Sequence, residues 1–174
     1  NGYTKLILHD KSIVNTNEAF VNSSRYDSPE QRELIDIVQE EAGPLERLDW
    51  MVHLRNNTPI VQSFLGTSLY SSILNGNLLT FYWRDLEIDM LRESVSRYGT
   101  LGNRANLHHV LSSPYWMRNQ NVSSEVPYGF DLLAETERYA VYESETRLPF
   151  VRTTTSTYRQ ADLEDASVLT REQA

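Results

Sequence analysis

The spacing of apolar residues predicts a helix near the start of the chain. Ser28-Pro29-Glu30-Gln31 has the form of a helix start, because Ser can cap the first turn, Pro fits the first helical position and Gln can complete a capping box. The buried stripe would then be Leu34, Ile35 and Val38. Ala42-Gly43-Pro44 is expected to end the helix, with Gly43 in the left-handed conformation that favours glycine.

Apolar and polar residues alternate in the stretch from Glu46 to Leu54, and this period of two predicts a half-buried strand. Leu48 and Trp50 fall on its apolar side, and Asp49 falls on the polar side. Further on, Thr67 or Ser68 can cap a short helix. Apolar residues at helical spacing predict another helix that runs to about Arg92: Leu79, Tyr82, Leu86 and Met90.

The last third of the chain has a different pattern. From Tyr115 onward, the segments YWM, YGFDLL, RYAVYES and LPFVRTTT are rich in aromatic and β-branched residues and are separated by turn residues. The pattern predicts an α+β fold, with helices in the N-terminal and middle parts packed on a small mixed or antiparallel sheet built largely from the C-terminal third.

Composition narrows the possible partners. The chain has 174 residues, no Cys and a formal net charge of -8, which argues against a disulfide-linked partner and against nucleic acid. No run approaches the roughly 20 apolar residues of a membrane-spanning helix. We expect residues 1–174 to be one domain excised from a larger protein, because both ends look cut, with 159–174 a detached or truncated terminal helix.

Two groups of side chains in the sequence carry metal-ligating atoms. Neighbouring residues on a helix point about 100° apart, so His108 and His109 cannot easily share a metal, and surface or capping roles are favoured. Asp85 and Asp89 could hold a divalent ion, but a solvated helix face with Arg84 and Arg92 as partners is the preferred interpretation. The sequence therefore assigns no metal site and no catalytic residue.

The turn from Ser96 to Arg104 is the candidate anion site. Two arginines flank a glycine-bearing turn, after which Asn103 can cap a helix that ends near Leu111. Backbone N–H groups and guanidinium groups together suit a phosphate or a carboxylate. The alternative, which we favour on the sequence alone, is a structural turn whose arginines pair with the acidic helix before it. The candidate contacts are Arg97, Gly99, Gly102, Asn103 and Arg104.

Two long strings of the sequence resemble bacterial multi-spanning membrane proteins of the YfhO family. They are RNNTPIVQSFLGTSLYSSILNGNLLTFYWRDLEIDM and, after it, SRYGTLGNRANLHHVLSSPYWM. The later motifs VPYGF, YAVYES, LPFVR and TREQA occur in that family's order. The resemblance covers the chain from about Leu48 to Ala174. The sequence departs from the family pattern at Ser113-Pro114-Tyr115 and at Tyr142-Glu143-Ser144, which bears on the local strand pairing.

The resemblance implies an extracytoplasmic domain, at the outer face of the cell membrane of a Gram-positive bacterium, in a GT-C-like glycosyltransferase. It implies an undecaprenyl-phosphate-linked sugar as donor for the full-length protein, and a cell-envelope polymer such as lipoteichoic acid as acceptor. The expected partners are the transmembrane part of the same chain and the envelope polymer or lipid-linked sugar. The acidic residues expected to carry out catalysis lie in a loop outside this chain, and no cofactor is expected within it. A non-catalytic carbohydrate-binding or assembly module is the alternative.

Overall fold

A four-stranded mixed sheet organises the fold. The computed structural model describes residues 28–51, 57–70, 73, 75–88, 97–98 and 100–174. The strands in chain order are β1 (Leu48–Met51), β2 (Leu69–Tyr70), β3 (Arg97–Tyr98), β4 (Tyr115–Asn119), β5 (Phe130–Glu135) and β6 (Tyr139–Ser144). The main sheet has the order β1-β4-β6-β5, and β2 pairs with β3 in a separate two-stranded ribbon.

The helices lie mostly before the last three strands, as predicted. They are α1 (Pro29–Glu41), α2 (Thr58–Val61), α3 (Gly76–Thr80), α4 (Ala105–Val110) and α5 (Val168–Gln173). A π-helical turn, Phe81–Asp85, directly follows α3, and a 3-10 turn, Gln160–Leu163, precedes α5. None of the helices in the described ranges has the length and hydrophobicity that a bilayer crossing requires.

The strand pairing confirms the α+β prediction and shows that the sheet is mixed. Strand β1 runs parallel to β4, with Leu48 opposite Tyr115, whereas β4 and β5 each pair with β6 in antiparallel fashion. The backbone N–H of Ser144 donates to the Pro114 carbonyl at 2.8 Å, so pairing continues through both departures from the family pattern. The prediction of a strand at LPFVRTTT is wrong, because these residues form an exposed irregular segment.

Helix α1 closes one face of the sheet. The apolar stripe of the helix packs into a core with residues of three strands. These residues are Leu34, Ile35, Val38, Leu48, Trp50, Tyr115, Met117, Tyr139 and Val141. Removing this much apolar surface from water is the main term that stabilises such a layer.

Both ends of α1 differ from the prediction. The Ser28 side chain makes no capping hydrogen bond and instead accepts from Arg138 at 3.1 Å, while buried Gln31 accepts from Gln62 at 3.2 Å. At the other end Ala42 is extended, and Leu45 rather than Gly43 takes a positive φ, at 67°. At the N-terminal end, tertiary partners have therefore replaced the local cap.

A second apolar cluster lies in the middle of the chain. It contains Tyr82, Leu86, Ile88, Leu101 and Leu107. The predicted helix is confirmed over Gly76–Thr80 and Phe81–Asp85, but its continuation to Arg92 is wrong, because the π turn ends at Asp85 and Glu87 has a φ of 48°. The predicted helix after Thr67 is also wrong, since Leu69 and Tyr70 form β2. Residues 52–56 and Met90 lie outside the described part of the chain, so the end of the first predicted strand is untested.

Gly66 provides a test of the packing between α2 and β1. A Cβ at this position would lie 2.4 Å from Cγ of Pro59 and 2.9 Å from its Cβ, so Gly66→Ala forces the backbone or the proline ring to move. We expect a loss of about 1–3 kcal/mol in the free energy of unfolding, measured by urea denaturation.

Gly76→Ala is the matched control. No heavy atom lies within 4 Å of a Cβ at Gly76, and the residue begins α3, so this change should be neutral or stabilising by up to about 1 kcal/mol. Equal losses in the two variants would contradict the close approach at Gly66.

Candidate ligand-binding groove

The candidate site is built around a buried carboxylate. Asp49 is 0% exposed, although the alternation along β1 predicts a solvent-facing side chain. Leu48 and Trp50 point into the core with α1, and Asp49 faces the other side of the sheet, which the chain between β1 and β4 covers. The strand is therefore buried on both faces.

Three donors satisfy the Asp49 carboxylate. The Thr67 hydroxyl donates to Oδ1, the Thr100 hydroxyl donates to Oδ2 at 2.6 Å, and the Leu101 N–H donates to Oδ2 at 3.0 Å. A buried carboxylate is stable only when its lone pairs are used in this way. Thr67, expected as a helix cap, is one of these donors.

His108 lies beside this carboxylate and is also fully buried, which corrects the expected surface or capping role. Its Nε2 atom is 3.8 Å from Asp49 Oδ2 and 3.0 Å from the Gly102 carbonyl oxygen. Its Nδ1 atom is 3.2 Å from the Ser113 carbonyl oxygen. Both ring nitrogens of His108 thus face backbone carbonyl oxygens, and the Asp49 carboxylate lies beside the ring.

These two buried groups hold the turn of the predicted anion site from its inner side. Asp49 binds the turn through Thr100 and Leu101, and His108 binds it through the Gly102 carbonyl. Gly102 has a φ of 65°, a left-handed conformation that favours glycine. Its N–H donates to the Thr100 hydroxyl at 3.0 Å. The turn is thus a fixed feature of the fold.

The outer residues of the turn are engaged by acidic partners. Arg104 donates through Nη2 to Glu172 at 2.6 Å and through Nη1 to the Leu86 carbonyl at 2.6 Å. The Asn103 amide donates to Glu125 at 3.2 Å. Arg104 therefore pairs mainly with the last helix, not with the acidic segment before the turn as the alternative interpretation expects. The N-cap position of α4 is occupied by Arg104, one position later than the predicted Asn103, and the Arg104 side chain makes no capping hydrogen bond.

The other two candidate contacts of the anion site are Arg97 and Gly99. The backbone of Arg97 lies in β3, opposite Tyr70, and its side chain lies outside the described part of the structure, as does all of Gly99. The structure thus brings together Gly102, Asn103 and Arg104.

A groove of about 560 Å³ opens where this turn meets α5. Its lining consists of Asn103, Arg104, Ala105, Asn106, Tyr128, Val168, Leu169 and Glu172. Tyr128 is 91% exposed and presents a free aromatic face. Aromatic rings pack on the apolar faces of sugars, while amides, carboxylates and guanidinium groups hydrogen-bond to hydroxyl and phosphate oxygens. The groove carries all of these groups.

The described ranges include two of the remaining candidate side chains, Asp85 and His109. Asp85 pairs with Arg84 at 2.9 Å, in agreement with a charge-paired surface, while Asp89 and Arg92 lie outside the described ranges. His109 is half-buried, and its Nε2 atom is 3.0 Å from the Ser144 hydroxyl.

Sequence reasoning missed Asp49, Tyr128 and Glu172. The signal for Asp49 was its position between Leu48 and Trp50 in a strand, which becomes informative only if both faces of the strand are covered. Tyr128 precedes Gly129, whose φ of 74° marks a turn tip, and a Tyr-Gly turn was a recognisable signal. Nothing local distinguishes Glu172 from its charged neighbours.

Comparison with known proteins gives one family model and one curated relative. The family model described as bacterial membrane protein YfhO matches residues 3–174. The chain is 47% identical over 176 aligned residues to a Bacillus subtilis (strain 168) protein called "Uncharacterized protein YfhO". The alignment covers 100% of this chain and 20% of that protein, so the chain spans about a fifth of its relative's length. No solved structure matches the chain.

Removal of the buried carboxylate should destabilise the protein strongly. Asp49→Ala leaves the Leu101 N–H and the hydroxyls of Thr67 and Thr100 without their acceptor, and we expect a loss of about 3–5 kcal/mol in the free energy of unfolding by urea denaturation. Asp36→Ala, at an exposed position of α1, should change it by less than about 0.5 kcal/mol. A small loss for Asp49→Ala would show that the carboxylate does not hold the turn.

Stability should also fall on mild acidification because of His109. Burial, and then repulsion from neighbouring His108, lowers the pKa of His109 below its ordinary value of 6.5. Below 6.5 the unfolded chain takes up a proton that the folded chain does not, so the free energy of unfolding decreases until the folded pKa is reached.

His109→Gln removes this contribution and keeps a polar partner for Ser144. Urea denaturation between about pH 7 and about pH 5 should therefore show a shallower pH dependence for the variant than for the native chain. Identical slopes would contradict the assignment.

Proposed function

Because the chain belongs to the YfhO family of bacterial membrane proteins, we propose that it is the extracytoplasmic domain of a polyprenyl-phosphate-sugar-dependent glycosyltransferase. The proposed acceptor is a cell-envelope polymer of the lipoteichoic acid type. In this proposal sugar transfer occurs in another part of the longer protein, and this domain positions the substrate.

The groove at the Thr100–Arg104 turn is the observation that carries the proposal. A lipoteichoic acid type of polymer presents hydroxyl groups and phosphodiesters, and a lipid-linked sugar presents hydroxyl groups next to phosphate. The groove offers an exposed ring at Tyr128, amides at Asn103 and Asn106, and a guanidinium group at Arg104. Each chemical feature of the substrate has a partner of matching type.

Rigidity of the groove supports a positioning role. The turn is bound from inside by Asp49 and His108, and its Arg104 is bound on the outside by Glu172 and the Leu86 carbonyl. A binding surface that is ordered before the ligand arrives loses less conformational entropy on binding. The predicted anion contact at Arg104 requires the phosphate to share or displace the Glu172 carboxylate.

The alternative is a non-catalytic carbohydrate-binding or assembly module. The exposure of Tyr128 favours it, because the groove residues all belong to this chain and need no addition from elsewhere to present an aromatic platform. Titration of the 174-residue chain with glycerol-phosphate polymer distinguishes the two. Saturable binding favours the module, whereas binding only in the full-length protein favours the positioning role.

The proposal is tested by substitution in the full-length protein. Tyr128→Ala should lower polymer glycosylation in cells about twofold to twelvefold, because loss of one aromatic contact costs about 0.5–1.5 kcal/mol. The simultaneous change of Arg97 and Arg104 to Ala should also lower it. Protein abundance, measured by immunoblot, should remain unchanged in each variant.

Tyr158→Ala is the matched control, since Tyr158 is 60% exposed and does not line the groove. It should leave glycosylation unchanged. Unchanged polymer glycosylation in cells with the Tyr128→Ala variant, at normal abundance of the variant protein, would overturn the role of the groove.

A further inference from the structure

A second exposed surface lies around the C-terminal end of α4, and it combines apolar side chains with unneutralised arginines. We call it the basic apolar patch, defined as Arg47, Val110, Leu148, Phe150, Val151 and Arg152. Val151 is 80% exposed and Phe150 is 49% exposed. Exposed side chains of this size, gathered in one place, mark an interaction surface more often than isolated ones do.

Contacts around the end of α4 bring the patch together. Arg152 donates through Nη2 to the Val110 carbonyl at 3.1 Å, and Ser112 donates to the Leu148 carbonyl at 3.0 Å. Arg47 donates through Nη1 to the Leu111 carbonyl at 2.7 Å. Its guanidinium carbon lies 4.9 Å from the centre of the Phe150 ring. Residues from three parts of the chain thus form one surface.

The two patch arginines differ from most of the other described arginines. Six other arginines each pair with a carboxylate: Arg84, Arg104, Arg138, Arg147, Arg159 and Arg171. Within the described ranges, Arg47 and Arg152 bind only backbone carbonyls and an aromatic ring. Their positive charge is therefore available to an external partner.

The charge along the sequence is also uneven. Residues 146–160 contain three Arg and no Asp, Glu or Lys, although the whole chain has a net charge of -8. An anionic surface would repel most of this protein and attract the patch. Charge therefore favours contact with such a surface through the patch, where Arg152 has no carboxylate partner among the described residues.

We propose that the basic apolar patch rests on the anionic lipid bilayer that holds the rest of the protein. Val151 and Phe150 would enter the headgroup region, and Arg47 and Arg152 would pair with lipid phosphates, which is the usual chemistry of interfacial binding. A bilayer fits better than a soluble anionic polymer, because the polymer would leave the apolar side chains in water. The proposal rests on family membership and the patch itself, and not on the proposed glycosyltransferase function.

Vesicle flotation with the 174-residue chain tests this assignment. The probes are vesicles of equal parts phosphatidylglycerol and phosphatidylcholine, and vesicles of phosphatidylcholine alone, at about 50 mM and about 500 mM salt. We expect binding to the anionic vesicles that weakens at high salt. Arg152→Gln should weaken it about fivefold, and Val151→Ser should weaken it by at least about fivefold.

Two control variants remove the same chemistry elsewhere on the surface. Arg84→Gln removes one charge at a side chain that is 60% exposed, and Ile60→Ser removes an apolar side chain that is 68% exposed. Each should change binding by less than about twofold. Circular dichroism should confirm that all variants retain the native fold.

Three results would overturn the proposal. The first is that the native chain does not float with anionic vesicles at the lower salt concentration. The second is that the controls weaken binding as much as the patch variants do. The third is that Val151→Ser has no effect while Arg152→Gln does, which would indicate a purely electrostatic contact of the kind made with a soluble anionic polymer.

Discussion

The buried carboxylate of Asp49 is the constraint on which the rest of this structure depends. A charged group without contact with water must have its lone pairs filled by donors, and the nearest donors come from Thr67, Thr100 and Leu101. These residues come from two segments of the chain, one at Thr67 and one at Thr100-Leu101. One side chain in β1 therefore fixes how the chain between β1 and β4 folds over the second face of the sheet.

That same carboxylate links the core to the candidate groove. Asp49 accepts from the Thr100 hydroxyl and the Leu101 N–H, and His108 contacts the Gly102 carbonyl, so buried hydrogen bonds fix the inner face of the turn. The outer face of the turn presents Asn103 and Arg104 to the groove. Helix α5 completes the groove by bringing Glu172 to Arg104, and it ties the last residues of the chain to the middle of the fold.

The two proposed surfaces use different chemistry. The groove combines an aromatic ring with amides and a paired arginine, which suits a polyhydroxylated or phosphate-bearing ligand. The basic apolar patch combines exposed aliphatic and aromatic side chains with arginines that have no carboxylate partner among the described residues, which suits an interface between water and lipid. Taken together, the two proposals have the domain contact the membrane through the basic apolar patch and a polymer through the groove.

The sequence alone determined the elements whose signals are local. Helix α1 was predicted from Pro29 and its apolar stripe, and β4, β5 and β6 were predicted from β-branched and aromatic runs, because period and propensity act over a few residues. The turn at Gly102 was also recognisable, because a left-handed conformation favours glycine.

Tertiary structure decided the features that need a distant partner. The capping box at Ser28 was lost because Arg138 supplies a donor from the β5–β6 hairpin, and the helix after α3 ended early at a π turn. The alternation along β1 predicts a surface position for Asp49, because an alternating strand does not reveal whether its second face is covered. Only the folded chain brings Thr67, Thr100 and Leu101 to that carboxylate, and desolvation makes their hydrogen bonds obligatory.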